Sequence, residues 1–237
     1  KSITYFGDDF LIMSALTDAM GYKTELTDFD MRLLRPTRLA DRNLNSTELV
    51  FDIFGFVAAR ALRGKGDEAD RLPAGPPDLS DAEVAAFFQD PSGRAEAVLG
   101  SATERFVTSY AALPVRVARI ARETHQAMLP PGQTARLLIE ISYFDAFGHL
   151  IASKKRCEPG PARQLDDQGH VIVSDTGTGW RWLSSGWTAA NSQGQPILTC
   201  APYFSATHDA DAPALAAAGG LTRYFADPLG RVGVTHH

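Results

Sequence analysis

Cysteine is scarce in this sequence. Its 237 residues hold two, Cys157 and Cys200, 43 positions apart and neither in a C-x-x-C pair. That spacing gives no disulfide framework and no zinc signature, so two separate thiols are expected. Basic charge is short as well. The 23 Lys and Arg against 28 Asp and Glu leave a formal net charge of −5, which argues against a nucleic-acid binder with its usual basic face. No apolar run approaches the ~18 residues of a membrane-spanning helix. No signal peptide is visible. Catalytic signatures are missing too: there is no nucleophile elbow, no H-E-x-x-H and no Rossmann fingerprint. "GTGW" (177–180) lacks the Gly-Lys-[Ser/Thr] of a phosphate loop. No cofactor and no metal site is expected, and the terminal His236-His237 pair is not read as one.

What the sequence does have is turns. Asp18, Asp30, Asp41 and Asp52 follow one another at 12, 11 and 11 residues, with "YKTELTDF" and "NSTELVF" between them. A turn every 8–12 residues between short β-rich runs signals an up-and-down β array. A D-x-x-G or N-x-x-G string occurs at Asp18–Gly21, Asp52–Gly55, Asp145–Gly148, Asn191–Gly194 and Asp227–Gly230. Asp or Asn opening a type I turn accepts a backbone N–H two residues on, and Gly in fourth place takes positive φ. "RLLIEISYF" (136–144) alternates Leu137, Ile139, Ile141 and Tyr143 on one face, and "HLIASKKR" returns from its turn. These ten Asp, Asn and Gly residues are therefore read as structural turns.

The middle breaks the pattern. "GKGDEADRLPAGPPD" (64–78) reads as a surface loop. Ser80 with Glu83 then fits a capping box, Val84, Phe87 and Phe88 form an apolar stripe, and Asp90-Pro91 stops the helix. A second short helix is expected at about 93–99, with Gly100 as its cap. The expected organisation is β-hairpins over 1–63, loop and helical insertion over 64–100, and a second β segment over 101–237. A long loop is expected near 158–179 and a short helix within 208–220. Because the chain opens on Lys1 in strand-like sequence, it is expected to be a piece of a longer one.

Few residues suggest chemistry. Glu123 and His125 would share one face of a strand and could pair as acid and base, yet a polar strand end before Pro130-Pro131 explains them as well. Asp175 sits in a D-T-G tripeptide like that of aspartic proteases, which need a second such carboxylate; none is present. His149 follows a turn glycine where Phe56 and Arg231 stand in the sister strings, so the position tolerates any side chain. Trp180, Trp182 and Trp187 fall within eight residues. They could stack on sugars as a carbohydrate-binding or adhesive module, or fill a sheet seam. An enzyme is not expected.

Several rare strings resemble a known family. "SYFDAFGHLIASKKRCEPGP", "RWLSSGWTAANSQGQPILTCAPYFSATH" and "RYFADPLGRV" are similar, in order and spacing, to the end of the B component of bacterial Tc (insecticidal toxin complex) toxins. That segment belongs to the SpvB/TcaC-like Rhs/YD-repeat proteins. "LGSATERFV", "ARETH", "LPPGQ" and "AAFFQDP" also fit; the first 60 residues are generic YD-repeat-like sequence. Ala146 and His149 stand where the family often has Gly and Arg. Asn191-Ser192-Gln193-Gly194 replaces N-N-K-G, and "VGVTHH" departs from the usual ending. The resemblance implies a mainly β fold: an antiparallel β-sheet strip, part of a hollow shell, with a small helical insertion. It implies a structural role in a secreted toxin complex. The partners would be the remainder of the B shell, a toxin-carrying C component, and an A-component pore docked through a propeller of B. The family's autoproteolytic aspartates have no matching motif here.

Overall fold

The computed structural model describes residues 1–8, 11–43, 45–64, 69–130, 132–226 and 232–236, with only the backbone described at 226, 232 and 234–236. Two compact units divide the chain, one of residues 1–107 and 120–137, the other of 108–119 and 138–237.

The first unit is a meander followed by helices. Strands β1 (Ser2–Tyr5), β2 (Met13–Thr17), β3 (Lys23–Asp30), β4 (Arg35–Ala40), β5 (Ser46–Phe51) and β6 (Val57–Arg63) pair antiparallel in sequence order. Helices α1 (Asp81–Gln89) and α2 (Pro91–Leu99) come next. Strand β7 (Glu104–Ser109) then joins β6, with Ala59 opposite Arg105.

The hairpin turns follow from the aspartates. Asp18 Oδ1 accepts the Met20 and Tyr22 amides at 2.8 and 2.9 Å, the Gly21 amide closes on the Asp18 carbonyl, and Gly21 takes φ +80°. Asp41 accepts from Asn43 and Asn45 at 2.8 and 2.9 Å, and Asp30 from Arg32 and Leu33. At Asp52, Oδ1 accepts the Phe56 amide and Gly55 sits at φ +86°. One side-chain acceptor thus organises each reversal locally, which explains the 11-residue spacing.

The insertion is helical for the reasons its sequence suggests. Ser80 Oγ accepts the Glu83 amide while the Glu83 carboxylate accepts from the Ser80 amide, a complete capping box. Asp90 ends α1 and caps α2 by accepting the Gly93 amide, with Pro91 in the first turn. The buried apolar set combines Phe87, Phe88, Ala95 and Leu99 from the helices with Phe51, Ala58, Ala59, Ala61 and Val107 from the strands.

The second unit contributes strands to two sheets. After β8 (Val115–Arg122) come β9 (Leu137–Phe144), β10 (Leu150–Cys157), β11 (Pro161–Leu165), β12 (Val171–Asp175) and β13 (Arg181–Ser184). They are followed by β14 (Thr188–Ala190), β15 (Pro196–Cys200) and β16 (Tyr203–Ser205). Then come α3 (Pro213–Ala217), β17 (Leu221–Ala226) and β18 (Val232–His236). In the larger, 14-stranded sheet β9-β10-β13-β16-β11-β12 are successive neighbours, antiparallel except for the β16–β11 pair; the smaller sheet runs β14-β15-β17-β18. Ile139, Ile141 and Tyr143 alternate into the interior of this unit, as the alternation in 136–144 suggests.

One expectation is corrected. Residues 158–179 are not a long loop: they contain the hairpin of β11 and β12. Its turn is another D-x-x-G, Asp166 to Gly169, with Asp166 Oδ1 accepting from Gln168 and His170 and Gly169 at φ +83°. The hairpin escapes a hydrophobic reading because β12 is largely exposed and β11 buries one residue well, Ala162.

Candidate functional site

The polar centre of the second unit is Lys154. Its position in mid β10 puts the side chain inside the unit, where it is 1 % exposed. Four oxygens converge on its Nζ: Ser205 Oγ at 3.0 Å, the Thr207 carbonyl at 2.8 Å, the Asp209 carbonyl at 2.6 Å and Asp211 Oδ2 at 2.7 Å. The Asp211 carboxylate also accepts the Tyr203 phenol at 2.6 Å and the Ser205 hydroxyl at 2.8 Å. The Tyr143 hydroxyl donates to the His208 carbonyl, fixing the loop from the β9 side. Burial pushes the Lys154 amine below the ordinary lysine range, and the Asp211 carboxylate pulls part of that shift back. Burial likewise raises the Tyr143 and Tyr203 phenols, so both stay protonated donors.

An ammonium has three hydrogens to donate and no lone pair, and here it meets four acceptors. A cavity of about 130 Å³ adjoins the ion pair, lined in part by Pro114, Tyr143, Ile151, Trp187 and Ala216.

A second node lies in the first unit. Asp70 is buried, with Oδ2 2.7 Å from Thr103 Oγ1 and 2.8 Å from His125 Nδ1, and Oδ1 accepting the Gln126 amide at 2.9 Å. The His125 ring borders a groove of about 600 Å³ whose lining includes Thr24, Asp41, Asn45, Ser46 and Arg63. A carboxylate-held histidine is a base only with something to deprotonate. The Asp70 contacts clasp the segments around 70, 103 and 125 together.

The sequence candidates separate. Glu123 faces Arg136 at 3.8 Å, not His125, and β8 ends before both. Asp175 is exposed and its Oδ1 accepts the Gly177 amide, as an ordinary turn residue. The three tryptophans lie in different surroundings. Trp182 is 3 % exposed, its ring 5.7 Å from that of His208. Trp187 packs on the cluster of Cys200, Tyr203, Leu215 and Ala216. Trp180, half-exposed, lies under the Arg156 guanidinium at 4.4 Å.

Among the turns, Asp145 accepts from Phe147 and His149 with Gly148 at φ +82°, and Asn191 accepts from Gln193 and Gln195 with Gly194 at φ +78°. Asp227 and Gly230 lie outside the described residues. Lys154, Asp211 and Asp70 are absent from the sequence candidates. Within "SATHDAD" only Ser205 and Asp211 contribute side-chain oxygens, since Thr207 and Asp209 contribute carbonyls, so the string gave little signal.

Lys154 lies in the "KKRCEPGP" stretch and its cage in the "FSATHDAD" stretch. Ser205 and Thr207 belong to the string "RWLSSGWTAANSQGQPILTCAPYFSATH", and Asp209 and Asp211 lie just beyond it. No protein-family model and no curated protein matches the chain. Solved structures do. A crystal structure of TcdB2-TccC3 is similar over 97% of this chain and 11% of its own, with TM-score 0.71 and 24% identity. The chain has the fold of a Tc toxin segment. TcdB2-TccC3 without its hypervariable C-terminal region gives TM-score 0.73 at 20% identity, again over 97% of this chain and 13% of the other. The Photorhabdus luminescens Tc holotoxin pore gives 0.69 at 20%, with the same coverage. The mainly β fold with a small helical insertion expected from the sequence is the one observed. The chain spans 11% to 13% of the length of these Tc toxin chains.

Proposed function

We propose that this chain is a wall segment of a Tc-type toxin shell, structural rather than catalytic, in a B component that encloses and helps deliver a C-terminal toxic effector. The observation that carries the reading is the likeness over 97% of the chain to TcdB2-TccC3. The partners proposed are the rest of the B shell, a toxin-carrying C component and an A-component pore reached through a propeller of B. The complex would act outside the producing cell. The physics suits a wall: consecutive strands of the first unit pair on both sides, which leaves few edges open to aggregation. Electron microscopy of the natural full-length chain, co-expressed with its neighbouring gene product, tests this. A hollow particle with the segment in its wall is expected; a small solid particle overturns the reading.

A further inference from the structure

The loop 205–211 is built as cation sites are built. Alternate residues supply a hydroxyl, two carbonyls and a carboxylate to one point, and Asp211 brings the countercharge. A neutral amine could donate two hydrogens to these four oxygens; an ammonium donates three. A planar guanidinium could not meet oxygens converging on a single point. We propose that residues 205–211 form a cation cage whose tethered occupant is the Lys154 ammonium, and that the emptied cage takes a free primary alkylammonium ion. The occupied cage orders the segment leading to α3, whose Leu215 and Ala216 are buried. Nothing in this depends on the shell reading.

Hydrogen exchange on the natural full-length chain tests it, read over residues 203–217. Lys154→Ala leaves Asp211 buried without its countercharge, so exchange there should rise about a hundredfold. Propylammonium chloride, which supplies the atoms that Lys154→Ala removes, should restore most of the protection. Sodium and tetramethylammonium chlorides at equal ionic strength should not. Lys154→Met fills the stem's space, so it should exchange fast and ignore propylammonium. Unchanged protection in Lys154→Ala, no response to propylammonium, or equal rescue of Lys154→Met would each overturn the proposal. Should Lys154→Ala fail to fold, the near-isosteric Asp211→Asn carries the test. Faster exchange in 203–211, with the β5–β6 hairpin (46–63) unaffected, is then expected, and unchanged exchange in 203–211 overturns the cage.

Discussion

Gly186 offers a sharp test of the packing in the second unit. It lies at φ +86°, and a Cβ built there would stand 2.0 Å from the Cys200 carbonyl oxygen and 3.1 Å from the Ala201 carbonyl carbon. The obstacle is backbone, and that backbone is pinned. The Cys200 amide donates to Trp187 at 2.7 Å, and Cys200 pairs with Leu221 across β15 and β17. Two costs therefore add in Gly186→Ala. A left-handed conformation costs an L-residue about 1–2 kcal/mol. Forcing a methyl group into filled space costs about 1–3 kcal/mol more. The sum, about 2–5 kcal/mol, is a factor of roughly 30 to several thousand in the opening equilibrium. Gly148→Ala is the control: φ is +82° but nothing lies within 4 Å, so only the first cost applies, about tenfold. Hydrogen exchange at Cys200 and Leu221 reads the first variant, and at 145–149 the second, both in the natural full-length chain. If Gly186→Ala loosens its surroundings no more than Gly148→Ala does, the close approach is not rigid and the reasoning fails.

Other outcomes follow from the turns and the buried clasp. Asp18→Ala removes the acceptor for the Met20 and Tyr22 amides and should cost about 1 kcal/mol, Asp18→Asn less, by exchange protection over 17–23. Asp70→Ala orphans the Thr103 hydroxyl, the Gln126 amide and the His125 ring, so about 3 kcal/mol should be lost and exchange at 123–128 should rise; a change near zero would mean that the clasp is not formed. The Asp166 carboxyl is held below the usual range, first by the His170 amide and, against some desolvation, by Gln168 and the His170 ring. A lowered folded pKa gives stability above the ordinary carboxylate value of about 3.9 that is lost as pH falls through the folded value. The β11–β12 turn should therefore loosen below about pH 4, seen as faster exchange after correction for intrinsic rates, and Asp166→Asn should abolish that acid step.

Local chemistry was the legible part of the sequence. An Asx turn uses one carboxylate and amides two to four residues on, so Asp18, Asp52 and Asp145 announce their hairpins without any distant partner. The Ser80–Glu83 box spans three residues and is equally self-contained. The β11–β12 hairpin was hidden because its exposed strand lacks alternation and its turn sits in a charged string. The nodes were hidden for another reason. His125 meets Asp70 across 55 residues, and the Lys154 cage uses two backbone carbonyls that carry no sequence identity. A Glu-x-His pair in the sequence suggested the wrong carboxylate for His125 because it assumed that β8 continues past Arg122.

The repeated and the rare strings constrain the chain differently. In a D-x-x-G turn the aspartate accepts backbone amides, so the residue after glycine can be Tyr22, Phe56 or His149, and Asn191 can replace Asp. These strings mark where the strip reverses but not which strip it is. At Lys154 the requirement is the reverse. Length and charge must bring an ammonium to one point, Asp211 must face it, and Tyr143 and Tyr203 must supply hydroxyls from β9 and β16. Lys154, Asp211, Tyr143 and Tyr203 are therefore constrained as side chains, whereas Thr207 and Asp209 enter through carbonyls that any residue could supply.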